Sequence, residues 1–154
     1  MPSVTLTQLV EAIATTFEGV AALIVQEAEE ATEGIQDPPI LQIYPETWNA
    51  DAGGGNTDRT TFGGGRRQTD ITILADLYAK ERSHIGEDFA VLLPLVDAMI
   101  DILEAQDAQP YFGLADVRGN PGIASFRWSG ERVTIVYAQQ RFVGARFTIT
   151  CRIF

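Results

Sequence analysis

Cysteine and histidine are almost absent from this sequence, and each absence removes a class of site. The chain holds one cysteine, Cys151, and one histidine, His84. A single cysteine excludes an internal disulfide framework and a cysteine-rich zinc site, and a single histidine removes the usual metal clusters. We therefore expect a fold that is held together by neither a disulfide nor a metal.

Long apolar runs are also missing. No stretch approaches the roughly 18 to 20 consecutive apolar residues of a membrane span, and the N-terminus lacks the basic-then-apolar pattern of a signal peptide. We expect no membrane partner and a chain that stays in the cytosol of the cell that makes it. With 154 residues and 45% hydrophobic content, residues 1–154 fit one compact domain.

Positive charge is missing from the first third of the chain. The net charge of -10 argues against tight binding of nucleic acid, and no Lys or Arg precedes Arg59, whereas ten acidic residues lie from Glu11 to Asp58. The stretch from Asp70 to Asp107 is acid-rich, and the last third is basic. Its arginines are Arg118, Arg127, Arg132, Arg141, Arg146 and Arg152. Surfaces of opposite sign would suit a head-to-tail ring, but folding could also mix these segments in space.

Two amphipathic helices are indicated. Thr5 and Gln8 form a capping-box pattern, and Val4 with Leu9 can form a hydrophobic staple, for a first helix that ends near Gly19. Its apolar face comprises Leu6, Leu9, Val10, Ile13 and Phe17. A second helix is predicted from about Ile85 to Ala105, with Pro94 either kinking it or marking a later start. Its apolar side comprises Phe89, Leu92, Leu93, Val96, Ile100 and Leu103.

The strands are predicted less clearly than the helices. Residues 20–33 fit either a helix or a strand, and we favour a strand over Ala22–Glu27. The run ILQIYPE is a short strand that Pro45 ends or confines to a sheet edge, and TDITILADLYA alternates as a half-buried strand does. The last third predicts three strands, IASFRW, RVTIVYA after a turn at Ser129-Gly130, and FVGARFTITCRIF. The predicted fold is α+β, with two main α-helices packed on one mixed, mostly antiparallel sheet of four to six strands.

A long glycine-rich loop is predicted at residues 47–68. It holds GGG twice, but it lacks the GxxxxGK[ST] order of a phosphate-binding loop. We interpret it as an arm that orders against a neighbouring subunit, with plain disorder as the alternative. Its anchoring side chains would be Trp48, Arg59, Phe62, Arg66 and Arg67.

No catalytic constellation is visible. His84 has no nucleophile or carboxylate pair spaced to work with it, and Cys151 alternates with core residues on the last strand, which favours a buried inert thiol. The sequence contains neither a GxSxG elbow nor HExxH. We expect a protein that is not an enzyme and that has no cofactor, no metal and no catalytic residues.

The closing β region carries a family resemblance. The stretch FRWSGERVTIVYAQQRFVGARFTITCRIF resembles the end of phage tail terminator and related tail-completion proteins, which commonly finish with a Tyr-x-Gly-x-Arg-Phe-like strand. The matching residues are Phe142–Phe147, and the order of elements agrees along nearly the full chain. The likeness is one of organisation, because this family has no invariant motif.

The resemblance implies a structural virion protein of long-tailed bacteriophages. Such subunits form a ring, here expected to be a hexamer, that caps the tail tube, ends its polymerisation and joins the tail to the connector or stopper protein at the neck. The protein would be assembled in the host cytoplasm and reside at the tail-neck junction, with DNA passing transiently through the lumen. Acidic residues lining the lumen would repel that DNA. The candidates are Asp97, Asp101 and Glu104, which share one side of the second helix, or the cluster Glu27, Glu29, Glu30 and Glu33.

Three other functions stay open, and the last of them is a small-molecule enzyme, against which only the absence of convergent polar residues speaks. Another neck, connector or minor tail protein would share the small α+β fold and the ring. A ligand-binding regulatory domain would instead form a stable dimer with a defined apolar pocket.

Overall fold

The computed structural model of the protein describes residues 4–20, 24–27, 39–48, 69–81, 85–137 and 139–153. In these ranges the chain forms two α-helices, five strands and a short 3-10 turn at Tyr111–Gly113. Their order is α1 (Leu6–Phe17), β1 (Ile24–Glu27), β2 (Ile40–Trp48), β3 (Thr69–Glu81), α2 (Ile85–Glu104), β4 (Ile123–Tyr137) and β5 (Gln140–Ile153). Neither described helix is long and apolar enough to cross a membrane.

The five strands form one sheet in the order β1-β2-β3-β5-β4. β1 runs parallel to β2, and the pairs β2-β3, β3-β5 and β5-β4 are antiparallel. Both helices contribute to the same hydrophobic core against the sheet, with α1 over β1 and β2 and α2 over β3 and β5. The predicted α+β fold with a mixed, mostly antiparallel sheet is confirmed.

The capping box sets the start of α1. The Gln8 backbone N–H donates to Thr5 Oγ1 at 3.2 Å, and the Thr5 N–H donates to Gln8 Oε1 at 3.0 Å, so two otherwise unpaired amides at the helix start are satisfied. Leu9, Ile13 and Phe17 are fully buried on the sheet side. The helix ends at Phe17, two residues before the predicted Gly19.

The ambiguous segment forms a strand where it is described. β1 covers Ile24–Glu27, inside the predicted range, and pairs with β2 from Ile40 to Ile43. β2 passes through Pro45 and continues to Trp48, so the prediction that Pro45 ends the strand or that a loop begins at residue 47 is wrong. A bulge between Pro45 and Thr47 lets pairing with β3 resume beyond a residue that has no N–H to donate.

Helix α2 runs without interruption through Pro94. The predicted later start at that residue is therefore wrong. Leu92 and Leu103 are buried as expected, but Leu93 is 55% exposed and Met99 takes a fully buried place. The reason is geometric: Leu92, Met99 and Leu103 repeat at helical spacing, whereas Leu93 is rotated by about 100° from Leu92.

The predicted turn at Ser129-Gly130 is also wrong, because β4 is one continuous strand through it. Gly130 is the cross-strand partner of Phe147, and a Cβ at this position would lie 2.9 Å from Cε1 of the Phe147 ring. The glycine therefore marks a close approach of an aromatic ring within a strand. The chain reverses further on, between Tyr137 and Gln140, which pair with each other.

Candidate assembly surfaces

The sheet face opposite the helices carries a three-residue polar cluster on adjacent strands, Tyr44 of β2, Asp76 of β3 and Arg146 of β5 (the Asp76 cluster). Asp76 and Arg146 are direct cross-strand partners, and Tyr44 reaches Asp76 diagonally. Arg146 donates through Nε to Asp76 Oδ1 at 2.8 Å and through a terminal nitrogen to Oδ2 at 3.0 Å. The Tyr44 hydroxyl donates to Oδ2 at 2.7 Å. The Asp76 carboxylate thus accepts three hydrogen bonds from two strands.

The burial of this cluster indicates that it stabilises the fold. Asp76 is only 3% exposed, and a charge this deeply buried is tolerated because it is paired and hydrogen-bonded. Burial, together with the hydrogen bond to Asp76 and its negative charge, raises the pKa of Tyr44 to about 12. The hydrogen bond to Asp76 raises the pKa of Arg146 against the opposing effect of burial. Tyr44 is therefore a neutral donor at physiological pH, and the cluster holds the three central strands in register.

A second Asp-Arg pair lies six residues along the same two strands. Arg152 Nε donates to Asp70 Oδ1 at 3.0 Å, but here both side chains are about half exposed. Both pairs join the acid-rich middle of the chain to its basic end. The two segments therefore neutralise each other in part across β3 and β5, as the mixing alternative supposed.

The exposed charges outside these pairs are distributed unevenly along the sheet. Glu11 on α1 and Glu18 just after its last residue are exposed, and α1, β1 and β2 contain no Lys or Arg. The β4-β5 hairpin exposes Arg127, Arg132 and Arg141 against a single acid, Glu131. Because α1 packs over β1 and β2, whereas β4 is the last strand in the sheet order, the exposed acids and arginines lie towards different ends of the sheet.

The predicted acidic stripe lies on the outer surface of α2. Asp97, Asp101 and Glu104 are all exposed, and none of them forms an ion pair with a described residue. Val91 and Leu93, which are 37% and 55% exposed, lie earlier on the same helix, as does the exposed Glu87. The exposed surface of α2 thus mixes apolar and acidic residues in its N-terminal half and is acidic towards its C-terminus.

The N-terminal end of α2 is tied to the sheet by charge. The Lys80 Nζ of β3 lies 3.7 Å from Glu87 Oε2 and 3.8 Å from Oδ1 of the buried Asp88. The Arg132 guanidinium of β4 lies 5.4 Å from the centre of the Phe89 ring, within the range of a cation-π contact. These contacts connect the N-terminal end of α2 to β3 and β4, while its buried apolar residues pack in the core.

Several predicted site residues lie outside the part of the chain that the structure describes. They are Arg59, Phe62, Arg66 and Arg67 of the loop and Glu29, Glu30 and Glu33 of the acidic cluster, together with His84. Glu27 and Trp48 are the last residues of β1 and β2, and only their backbone is described. The loop arm and the second lumen candidate therefore stay predictions.

Cys151 is fully buried in β5, as the alternation of that strand predicted. Burial raises the pKa of its thiol to about 12, so the thiolate that reacts or binds metal is scarce near neutral pH. Among the described residues, no group of three or more His, Cys, Asp or Glu side chains could hold a metal ion.

The Asp76 cluster was not predicted, although the sequence carries a signal for it. Asp76 and Arg146 both occupy the polar phase of an alternating strand, and antiparallel pairing of those strands could bring opposite charges face to face.

Comparison with known proteins adds no further assignment, since no protein-family model matches the chain and no curated protein matches its sequence.

Proposed function

We propose that this chain is a structural virion protein that forms a ring, caps the tail tube of a long-tailed bacteriophage and joins the tail to the connector protein at the neck. The observation that supports the proposal best is the uneven distribution of exposed charge along the sheet. The acids exposed on and just after α1 and the arginines exposed on β4 and β5 give one subunit two surfaces of opposite sign.

Complementary flanks favour head-to-tail association over a two-fold dimer. In a two-fold dimer each flank meets its own copy, so like charges would face each other. In head-to-tail contact each basic flank meets an acidic one, which steers encounter and disfavours the wrong orientation. Repeating one such contact by a closing rotation generates a ring, for which we propose six subunits.

The outer face of α2 supplies a surface for the lumen. Its carboxylates at Asp97, Asp101 and Glu104 are exposed and form no ion pair with a described residue, so their negative charge is directed at solvent. Six copies of this stripe around a channel would repel the phosphate backbone of passing DNA. We propose that this stripe faces the channel, whereas the tail tube protein and the connector bind the two ends of the ring.

A two-part experiment tests this function. Native mass spectrometry of the purified chain, alone and with tail tube protein, is expected to show a hexamer or a monomer that assembles on tube ends. Electron micrographs should then show tubes that stop growing once the chain is bound. A stable dimer that responds to a small ligand would contradict the proposal and favour a regulatory domain. Rings located elsewhere in the neck would favour a connector.

Neutralising the lumen stripe tests its role separately. The variant Asp97→Asn, Asp101→Asn, Glu104→Gln should assemble normally, because these side chains are exposed, yet should retain DNA and eject it more slowly. The control Glu46→Gln, Glu81→Gln removes exposed charge from β2 and β3 instead and should leave ejection unchanged. Unchanged ejection by the stripe variant would remove the stripe from the channel.

A further inference from the structure

The outer edge of β4 has no neighbouring strand within the described part of the chain. β4 covers fifteen residues, Ile123–Tyr137, and none of them is a proline. The start of the edge is covered, because the Gln109 side-chain amide donates to the carbonyl oxygens of Ile123 and Ala124 at 3.4 and 3.0 Å. Beyond Ala124, the backbone groups that point outward are available to pair with another strand.

The hairpin turn determines which backbone groups of β4 point outward. Tyr137 and Gln140 are cross-strand partners separated by two residues, so they form a hydrogen-bonded pair at the end of the hairpin. Hydrogen-bonded pairs alternate along the strand from there, and the register has no shift as far as Ser125, so Arg127 and Glu131 also direct their N–H and C=O to β5. The residues between them direct these groups to the free edge. They include Phe126, Trp128, Gly130 and Arg132.

Two exposed residues of opposite charge lie symmetrically on this strand. Arg127 and Glu131 are two residues before and two residues after Ser129, on the same face of β4, and neither forms an ion pair with a described residue. Antiparallel pairing of two β4 edges about a two-fold axis at Ser129 puts Arg127 of each copy opposite Glu131 of the other. A shift of the axis by one residue in either direction would put Arg127 opposite an uncharged residue.

The backbone pattern allows the same register. With the axis at Ser129, Trp128 of one copy is opposite Gly130 of the other, and both residues direct their N–H and C=O to the free edge. Such a pair exchanges two backbone hydrogen bonds. Gly130 has no side chain that could clash with the Trp128 ring across the contact. Charge and hydrogen bonding therefore agree on one register.

The other arginines of the hairpin stay apart in this register. Arg132 lies on the opposite face of β4, with its guanidinium 5.4 Å from the centre of the Phe89 ring. Across the contact it would be opposite Phe126 of the second copy, and Arg141 belongs to β5, away from the edge. The basic character of the whole hairpin therefore does not bring like charges together at this edge.

We propose that two copies of this chain pair through the outer edges of β4, antiparallel and about a two-fold axis at Ser129. An isologous contact requires a self-complementary surface, and the spacing of Arg127 and Glu131 supplies one. The contact goes beyond the proposed ring, since it belongs to chains that have not yet assembled. Arg127 is part of the basic surface proposed for the ring, so a chain in the two-fold pair is held out of the ring. Because a single strand edge is a small interface, the pair is weak and depends on protein concentration.

Disulfide trapping tests the position of the axis. Ser129→Cys puts two thiols opposite each other in a non-hydrogen-bonded pair, where Cα atoms lie about 4.5 Å apart, within the range of a disulfide. Ser125→Cys is the matched control, because it replaces an exposed serine on the same face that would not meet its own copy. The native Cys151 is buried. Under mild oxidation we expect about tenfold or more cross-linked dimer from Ser129→Cys than from Ser125→Cys.

Charge reversal tests the two ion pairs. Arg127→Glu alone and Glu131→Arg alone each put like charges opposite each other at both positions, so the dissociation constant of the pair should rise about tenfold or more. An equal mixture of the two variants should recover the parent affinity as a heterodimer, because every charge then meets its opposite. The control Arg141→Glu makes the same change outside the contact and should stay within about twofold of the parent. Analytical ultracentrifugation measures these constants, and circular dichroism establishes that each variant folds.

The edge contact and the ring fail on different results. Equal cross-linking of Ser129→Cys and Ser125→Cys, absence of cross-linking in both, or a mixture that associates no more tightly than its components would overturn the edge contact. None of these results bears on the ring. A parent chain that never associates with tail tube protein would overturn the ring, whatever the cross-linking shows.

Discussion

Replacing Arg146 by methionine removes both guanidinium hydrogen bonds from the buried carboxylate of Asp76 and keeps most of the aliphatic volume. Each charge-assisted bond contributes about 1.5–3 kcal/mol, and loss of one partner leaves a buried charge without its counterion. The Arg146 side chain is 37% exposed, so water can replace part of what is lost. The Tyr44 hydroxyl, 2.7 Å from the carboxylate, remains a donor. We therefore expect the free energy of unfolding to fall by about 2–3 kcal/mol at pH 7.

Urea denaturation followed by circular dichroism measures this change. Arg152→Met is the matched control, because it removes the same kind of bidentate pair from the same two strands at an exposed position, and its effect should be close to the error of the measurement. The double variant Asp76→Leu, Arg146→Met should be more stable than Arg146→Met alone, since it no longer buries an unpaired charge. Equal losses for Arg146→Met and Arg152→Met would refute the argument that burial decides the strength of these pairs.

Three further predictions follow from local geometry. Gly144→Ala should lower the free energy of unfolding by about 3 kcal/mol or more, because its Cβ would overlap a backbone carbonyl oxygen of β3. Gly86→Ala, in open space on α2, should raise it by about 0.5–1 kcal/mol. Thermal melting distinguishes the two outcomes. Burial raises the pKa of both Tyr44 and Cys151 to about 12. The stability that these two groups contribute is therefore fully present below their ordinary pKa values and is lost as pH rises towards 12. The double variant Tyr44→Phe, Cys151→Ala should lose less stability than the parent chain between pH 9 and 12, as measured by urea titration. Thr5→Ala should cost about 1 kcal/mol in the same assay through loss of the α1 cap, and no measurable loss would contradict the capping role.

Helices were the most predictable part of this protein. The capping box at Thr5 and the spacing of Leu9, Ile13 and Phe17 are local signals that need no tertiary partner, and the structure confirms both. Periodicity alone did not separate Leu92 from Leu93 on α2, because adjacent apolar residues both fall within a broad helical stripe. Which one is buried depends on the rotation of the helix against the sheet.

The breaks in the strands were the least predictable part. Proline and glycine often interrupt a strand, and on that basis Pro45 was predicted to end its strand or confine it to a sheet edge, and Gly130 to lie in a turn. In the fold, a bulge accommodates Pro45, and the Phe147 ring occupies the space that a side chain at Gly130 would need. Both exceptions depend on a neighbouring strand that is distant in the sequence.

By itself, the sequence determined the fold class, the two amphipathic helices, the burial of Cys151 and the segregation of charge along the chain, because each follows from composition or from spacing within one segment. Only the tertiary structure decided which of those charges cancel and which remain. Strand pairing brings Asp76 against Arg146 and Asp70 against Arg152, and the sheet order puts β4 at the far end of the sheet from β1 and β2, over which α1 packs. Register and strand order are long-range properties, since they depend on contacts between residues far apart in the chain.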